Sequence, residues 1–181
     1  MLRIQNLKAS GGFTLIELMI GLVIVAIVLA MGMPSYSTWI LNAKLRTAAE
    51  SIQTGLQLAR SEAVSRNAAV SLTMGSGSSW VVGCVVVTAT CPTSIQSRAT
   101  GEGSSSAVTV SPAAAAVTFD NLGRMSSPVP AAGTTFTQIN VGLDPAVLAA
   151  SKVRNLNVTV GVGGNVRLCD PHASSTDPRA C

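Results

Sequence analysis

The chain has 181 residues, 48% hydrophobic, 3% aromatic and 11% charged, with a mean hydropathy of +0.46. That composition excludes a disordered chain and fits one core-forming domain with an extension that includes a membrane-grade segment. The formal net charge is +4, yet from Ser35 onward ten Lys and Arg face seven Asp and Glu, an excess too mild to argue for nucleic acid by itself.

Residues 1–12, MLRIQNLKASGG, carry Arg3 and Lys8 and no acid, the make-up of an export-signal n-region. The apolar run from Phe13 to Met33 follows, about 21 residues or roughly 30 Å as a helix, enough to cross a bilayer core. An ordinary secretory signal has a shorter apolar region with a small-residue cleavage site after it. Here the small pair, Gly11 and Gly12, precedes the run, and Glu17 is the one carboxylate inside it. A charge at the centre of a membrane helix costs about 2.5–3.5 kcal/mol on insertion scales, so such residues are rare and usually paired.

Pro34 removes a backbone donor and is expected to kink or loosen the helix without ending it. From about Ser37 to Arg66 the sequence is rich in Ala, Leu, Gln and Arg and holds no proline. Leu41, Leu45, Ala48, Ile52, Leu56, Ala59 and Ala63 step by three, four and seven, which makes a single apolar stripe on a helix. Glu62 and Arg66 can pair at i, i+4. The predicted helix from Phe13 to about Arg66 spans roughly 80 Å. Residues 13–34 suit lipid, and residues 35–66 suit a sheet or another helix. Trp39 suits an interfacial anchor or packing against a neighbouring subunit.

Past Asn67 the period becomes two. Val70, Leu72 and Met74 alternate with Ser71 and Thr73, residues 75–79 form a turn, and Trp80 to Val87 resume as a strand with Trp80 in the core. Residues 93–107 are predicted as an exposed loop. Further strands are expected at 108–110, 117–119, 136–141, 156–160 and 166–169, with Gly163 and Gly164 in the last tight turn. Residues 67–181 therefore form a β-rich region, closed by an irregular tail that Cys181 tethers.

Four cysteines allow three connectivities. Neighbour pairing of Cys84 with Cys91 and of Cys169 with Cys181 is favoured, because it closes two short loops, each worth roughly 2–3 kcal/mol on the chain-entropy model. Such bonds imply an oxidising compartment. Neither pair has the close spacing of a zinc site, and no metal or other cofactor is expected. Asp170 and Asp177 could hold calcium, but a solvated disulfide loop is favoured.

The segment GGFTLIELMIGLVIVAIVLAMGMP resembles the type IV prepilin and pseudopilin signature over about residues 8–36. It combines a basic leader, Gly before Phe, Glu five residues into the mature chain, a long apolar helix and a proline near its end. The resemblance implies that residues 1–12 are a leader, that a prepilin peptidase cuts after Gly12, and that the new amine on Phe13 is methylated. It implies that residues 13–34 first anchor the chain in the inner membrane, with the C-terminal region periplasmic, and then pack in a filament core. There Glu17 and Pro34 would serve assembly. A neighbouring subunit's amine beside Glu17 would attract it by several kcal/mol at about 4 Å, even at an effective dielectric of about 20.

The remainder resembles the GspH/FimT branch of that family, in LQLARSEAVSRNAAV, in VTFDNLGRM and in VTVGVGGNVRLC. The branch implies an α+β, type IV pilin-like fold, with a long N-terminal helix on antiparallel sheet. The reading reached is a minor pilin of a type IV pilus that primes or caps the filament. The alternatives are a type II secretion pseudopilin and a DNA-receiving pilin of natural transformation. Implied partners are other minor pilins, the major pilin, the prepilin peptidase, the inner-membrane assembly platform and the membrane.

For DNA, branch members that bind it resemble one another in a Gly-Arg-x-Arg turn, whereas Gly164 here precedes Asn165, Val166 and Arg167, so one arginine is missing. Lys152, Arg154 and Arg179 are the candidates to supply charge beside Arg167. The plainer reading of these residues is a solvated sheet edge. Arg124 beside Gly123 reads as a turn residue or an interface residue. His172 is the only histidine, so no His-based triad or multi-His metal site can form. Gly161, Gly163 and Gly164 precede no helix and form no dinucleotide fingerprint, and no enzyme activity is expected.

Overall fold

The computed structural model describes residues 12–102, 104–128 and 136–181, apart from the side chains of residues 31, 32, 34 and 136. The leader, residues 1–12, lies outside the described residues except for Gly12. Two compact units are distinguished, residues 1–37 and residues 38–181.

In the first unit, helix α1 (Leu15–Arg66) begins. It starts two residues later than the apolar run because Thr14 caps it. The Thr14 Oγ1 accepts the Glu17 backbone N–H at 3.2 Å, and the Thr14 carbonyl accepts that of Leu18. This is the first half of a Thr-x-x-Glu capping box, and it satisfies a donor that the first helical turn leaves open. The large apolar side chains from Leu15 to Leu29 are uncovered by the rest of the chain. Among the described residues no single helix is long and apolar enough to cross a membrane. Leu15–Ala30 meets that test only together with Ser35–Arg66.

The second unit is built on the C-terminal half of α1. Leu45, Ala48, Ile52, Leu56, Ala59 and Ala63 of the expected stripe are buried, Leu41 is partly buried, and Ala49 is buried beside them. Two antiparallel sheets cover this stripe. The first runs β3 (Gln96–Arg98), β2 (Trp80–Cys84), β1 (Val70–Met74), β5 (Ala116–Phe119), β6 (Met125–Ser127). The second runs β4 (Val108–Pro112), β7 (Phe136–Leu143), β8 (Leu156–Gly161), β9 (Val166–Cys169).

Register aligns the apolar residues on one face of each sheet. In the first, Leu72 lies between Val82 and Val117, and Val70 between Cys84 and Phe119. In the second, Val158 lies between Ile139 and Leu168, and Val108 pairs with Leu143. With a period of two, these side chains share a face and form one core with the helix stripe. Trp80 is 3% exposed, and its indole Nε1 donates to Ser51 Oγ of α1 at 2.9 Å, so the largest core side chain has its polar atom satisfied.

Two strands were not expected. β3 falls in the predicted loop at 93–107, where a sheet partner rather than local pattern makes a polar three-residue segment extended. β6 is equally short, and pairs with β5 through a shifted register. β2 stops at Cys84 instead of Val87, because the Cys84–Cys91 bridge turns the chain there and leaves Val85, Val86 and Val87 exposed. The 75–79 turn forms as expected, with Gly75 N–H donating to the Ser79 carbonyl.

Ile52 is a fully buried member of the helix stripe within the core shared with the sheets. Ile52→Ala is expected to destabilise the second unit by about 2–5 kcal/mol, read as a lower urea midpoint with an unchanged m-value by circular dichroism.

Candidate assembly surfaces

Two surfaces stand out. The first is the start of α1. Phe13, the residue expected to carry the new amine, is 85% exposed, and Gly12 before it is exposed as well. Glu17 lies in the first helical turn, where its negative charge complements the helix dipole. Its backbone N–H is taken by Thr14, while its carboxylate has no hydrogen-bond or ion-pair partner among the described residues. Helix α1 continues through Pro34, whose side chain lies outside the described residues. The spacing Thr14-x-x-Glu17 is the sequence signal for this cap, of which only the Thr14 half forms, and the helix dipole gives the acid a local role besides any role between subunits.

The second surface is a junction where the three C-terminal sequence signatures meet. Arg60, in LQLARSEAVSRNAAV, donates from Nε to the carbonyl of Gly123 in VTFDNLGRM at 3.1 Å. Asn121 Nδ2 donates to Asn67 Oδ1 at 2.9 Å, and the Met125 N–H donates to the Val162 carbonyl at 3.1 Å. Those bonds tie the β5–β6 turn to the end of α1 and to the β8–β9 turn. Gly164 sits at φ +78°, and a Cβ built there would lie 1.9 Å from the Gly123 carbonyl oxygen and 3.0 Å from Arg60 Nε. Only glycine fits both the backbone conformation and the space.

Asp120 holds the β5–β6 turn from within. Its carboxylate accepts the backbone N–H groups of Leu122 and Arg124 and the Arg124 guanidinium. The Arg124 backbone bond foremost, then that of Leu122 and the Arg124 side chain, hold its pKa below the usual carboxylate value. Arg124, left open between turn and interface, is thus engaged in the turn.

The four basic residues considered for DNA divide. Arg179 pairs with Asp177 at 2.8 Å, and Arg167 Nη2 donates to the carbonyls of Pro178 and Ala180 at 3.3 and 3.5 Å. Both arginines therefore hold the C-terminal tail. Lys152 and Arg154 flank the entry to β8, where Asn42 of α1 clamps the backbone. Asn42 donates to the Lys152 carbonyl and accepts the Arg154 N–H.

Both expected disulfides form, Cys84–Cys91 and Cys169–Cys181. The second folds the tail back onto β9. The Asp170 N–H donates to the Arg179 carbonyl at 2.7 Å, and Cys169 and its register partner Asn157 are buried although they lie on the face turned away from the helix. The tail is more ordered than expected. Asp170 and Asp177 accept backbone N–H groups of His172 and Arg179 in Asx turns, which engages one oxygen of each carboxylate in its own turn. Among the described residues no cluster of three or more potential metal ligands occurs.

Residues 48–164 match the family model of the type II transport protein GspH, and residues 7–33 match the prokaryotic N-terminal methylation motif. The chain belongs to the GspH family. It is a GspH/FimT-like pilin or pseudopilin, with the N-terminal methylation motif and hydrophobic helix of a membrane-anchored member. No curated protein matches the GspH-family chain. Its fold is similar to that of the Pseudomonas aeruginosa (strain PAO1) type IV minor pilin FimU. One crystal form gives a TM-score of 0.53 and 20% identity over 76% of this chain and 94% of FimU. A second gives 0.51 and 19% over 75% and 98%.

Gly164→Ala is expected to destabilise this GspH-family domain by about 1–3 kcal/mol, measured by thermal unfolding, with the loss concentrated in amide protection of residues 121–125. The Asp177 pKa is lowered to about 2, first by the Arg179 side chain and then by its backbone N–H. A depressed carboxylate contributes order above its unfolded pKa and loses it as pH falls through the folded one. The Arg179 amide is therefore expected to stay protected above about pH 4 and to lose protection toward pH 2, followed by hydrogen exchange.

Proposed function

We propose that the chain is a minor pilin of a type IV pilus, a structural subunit that primes or caps the filament. A prepilin peptidase removes residues 1–12 and the amine of Phe13 is methylated. The chain waits in the inner membrane with residues 38–181 in the periplasm, and is then drawn into the pilus beside other pilins by the assembly platform. The observation that carries this reading is the pairing of an uncovered apolar helix with a single carboxylate, Glu17, that has no partner among the described residues. In lipid such a charge is a cost, and in a filament core a neighbour's amine offsets it.

A second reading, a pseudopilin of type II secretion, is supported by the matched family's description as a type II transport protein. The same helix chemistry serves either filament. DNA capture loses support from the engagement of Arg167 and Arg179 within the tail.

Glu17→Ala is expected to leave membrane insertion and cleavage intact, with an intact mass lacking residues 1–12 and carrying one methyl. Incorporation into sheared pili should fall by about tenfold or more, since tenfold corresponds to only about 1.4 kcal/mol. Normal incorporation of the variant would sink the pairing. Intact pili with blocked protein secretion on deletion of the chain would favour the second reading.

A further inference from the structure

We infer that the open groove beside the motif junction docks a carboxylate side chain of a neighbouring, different pilin subunit, with Arg60 as its receptor. This rests on the pilin reading above and adds a partner surface on the globular unit.

The groove has a volume of about 660 Å³ and lies between α1 and the β8–β9 turn. Among the described residues Arg60 is the only charged one that lines it, and Gln57, Ser61, Ser65 and Asn165 supply further polar groups. Arg60 spends Nε on the Gly123 carbonyl. Its two terminal nitrogens have no acceptor among the described residues. Four other arginines, Arg46, Arg66, Arg124 and Arg179, are ion-paired within the chain. The bond to Gly123 fixes the guanidinium plane, so its outer edge is presented with little further entropy to lose. A planar fork held in this way matches a carboxylate in two-point geometry.

The rim matches a protein partner better than a small anion. Val64 and Val166 line the groove, and Leu122 and Val162, exposed on the two turns that meet at the junction, extend it as an apolar border. An acid flanked by apolar residues on a partner would find both its charge and its surroundings complemented.

The acid must come from another kind of subunit. Every described side-chain carboxylate after Glu17 already accepts a hydrogen bond within this chain: Glu50, Glu62, Glu102, Asp120, Asp144, Asp170 and Asp177. A second copy would have to offer a carboxylate already held in a turn or an ion pair, with fewer acceptor sites left for the Arg60 fork than an unengaged acid on another pilin has.

The test uses the full chain in cells that assemble the filament, with the photo-crosslinker p-benzoylphenylalanine at Ser61. Adducts are sequenced to the residue. The expected adduct joins position 61 to an Asp- or Glu-containing segment of a different pilin. Gln57→Glu places a carboxylate three residues before Arg60 on the same helix face, where it claims the guanidinium. It should lower adduct yield by about tenfold with an unchanged melting temperature. Ser65→Glu, exposed on the same wall, adds a second competing carboxylate with the same expected loss. An adduct with a second copy of this chain, an adduct lacking an acidic residue, or yields unaffected by both variants would overturn the proposal. Cleavage after Gly12 is read by intact mass in the same cells. A correctly cut chain with no pilin adduct rejects the groove alone, whereas an uncut chain rejects the pilin reading as well.

Discussion

The structure of the globular unit depends on one constraint: the stripe from Leu45 to Ala63 must be removed from water on both of its flanks at once. A single sheet covers one side of a helix. Here the stripe is wide, with Ala48 and Ala49 side by side and Ala59 and Ala63 further along, and all are buried. Two sheets therefore share it, each contributing the inward half of a period-two pattern. The small residues permit close approach, and the bulk comes from Trp80, Phe119 and the β-branched residues opposite them. Ser51 on the helix supplies the polar group that the Trp80 indole needs inside the contact.

That shared stripe brings the ends of the sheets together at the C-terminal end of α1, where the Arg60 bond to Gly123 and the Met125 bond to Val162 close the corner. Gly164 fits there because the Gly123 carbonyl occupies the space of its missing Cβ. Away from that corner, two disulfides add covalent ties to the packing. Cys84–Cys91 ends β2, and Cys169–Cys181 returns the tail to the outer face of the second sheet, with Arg167 and the Asp177–Arg179 pair reinforcing the return. Short loops of this kind gain from a cross-link in an oxidising compartment.

Helix α1 carries two different surface chemistries along its length. From Leu15 to Leu29 its large apolar side chains are uncovered by the chain itself. From Leu45 onward one face is buried and the other is polar. Glu17 belongs to the first part, and its place in the cap leaves its carboxylate unengaged among the described residues. Its backbone N–H is bonded by Thr14 and its charge favours the first helical turn, leaving its carboxylate oxygens available.

The sequence by itself determined the elements whose signal is local. The helix stripe, the hairpin that opens at Val70 and the strands of the second sheet follow from period, the N-terminal motif with Gly12, Phe13 and Glu17 is carried by resemblance to a family signature, and short-loop closure favours the two neighbour disulfides among three connectivities. The tertiary structure alone decided three things. It made strands of Gln96–Arg98 and Met125–Ser127, which have no apolar alternation and are extended only because β2 and β5 present hydrogen-bonding edges. It assigned Arg167 and Arg179 to the tail, since a charge in a sequence does not reveal which carbonyl or carboxylate will lie beside it. And it brought Arg60, Gly123 and Gly164 into one junction from three distant segments. Local pattern reports which face of an element is apolar, whereas the partner of a polar atom is fixed only when the apolar faces have packed and set the distances between chains.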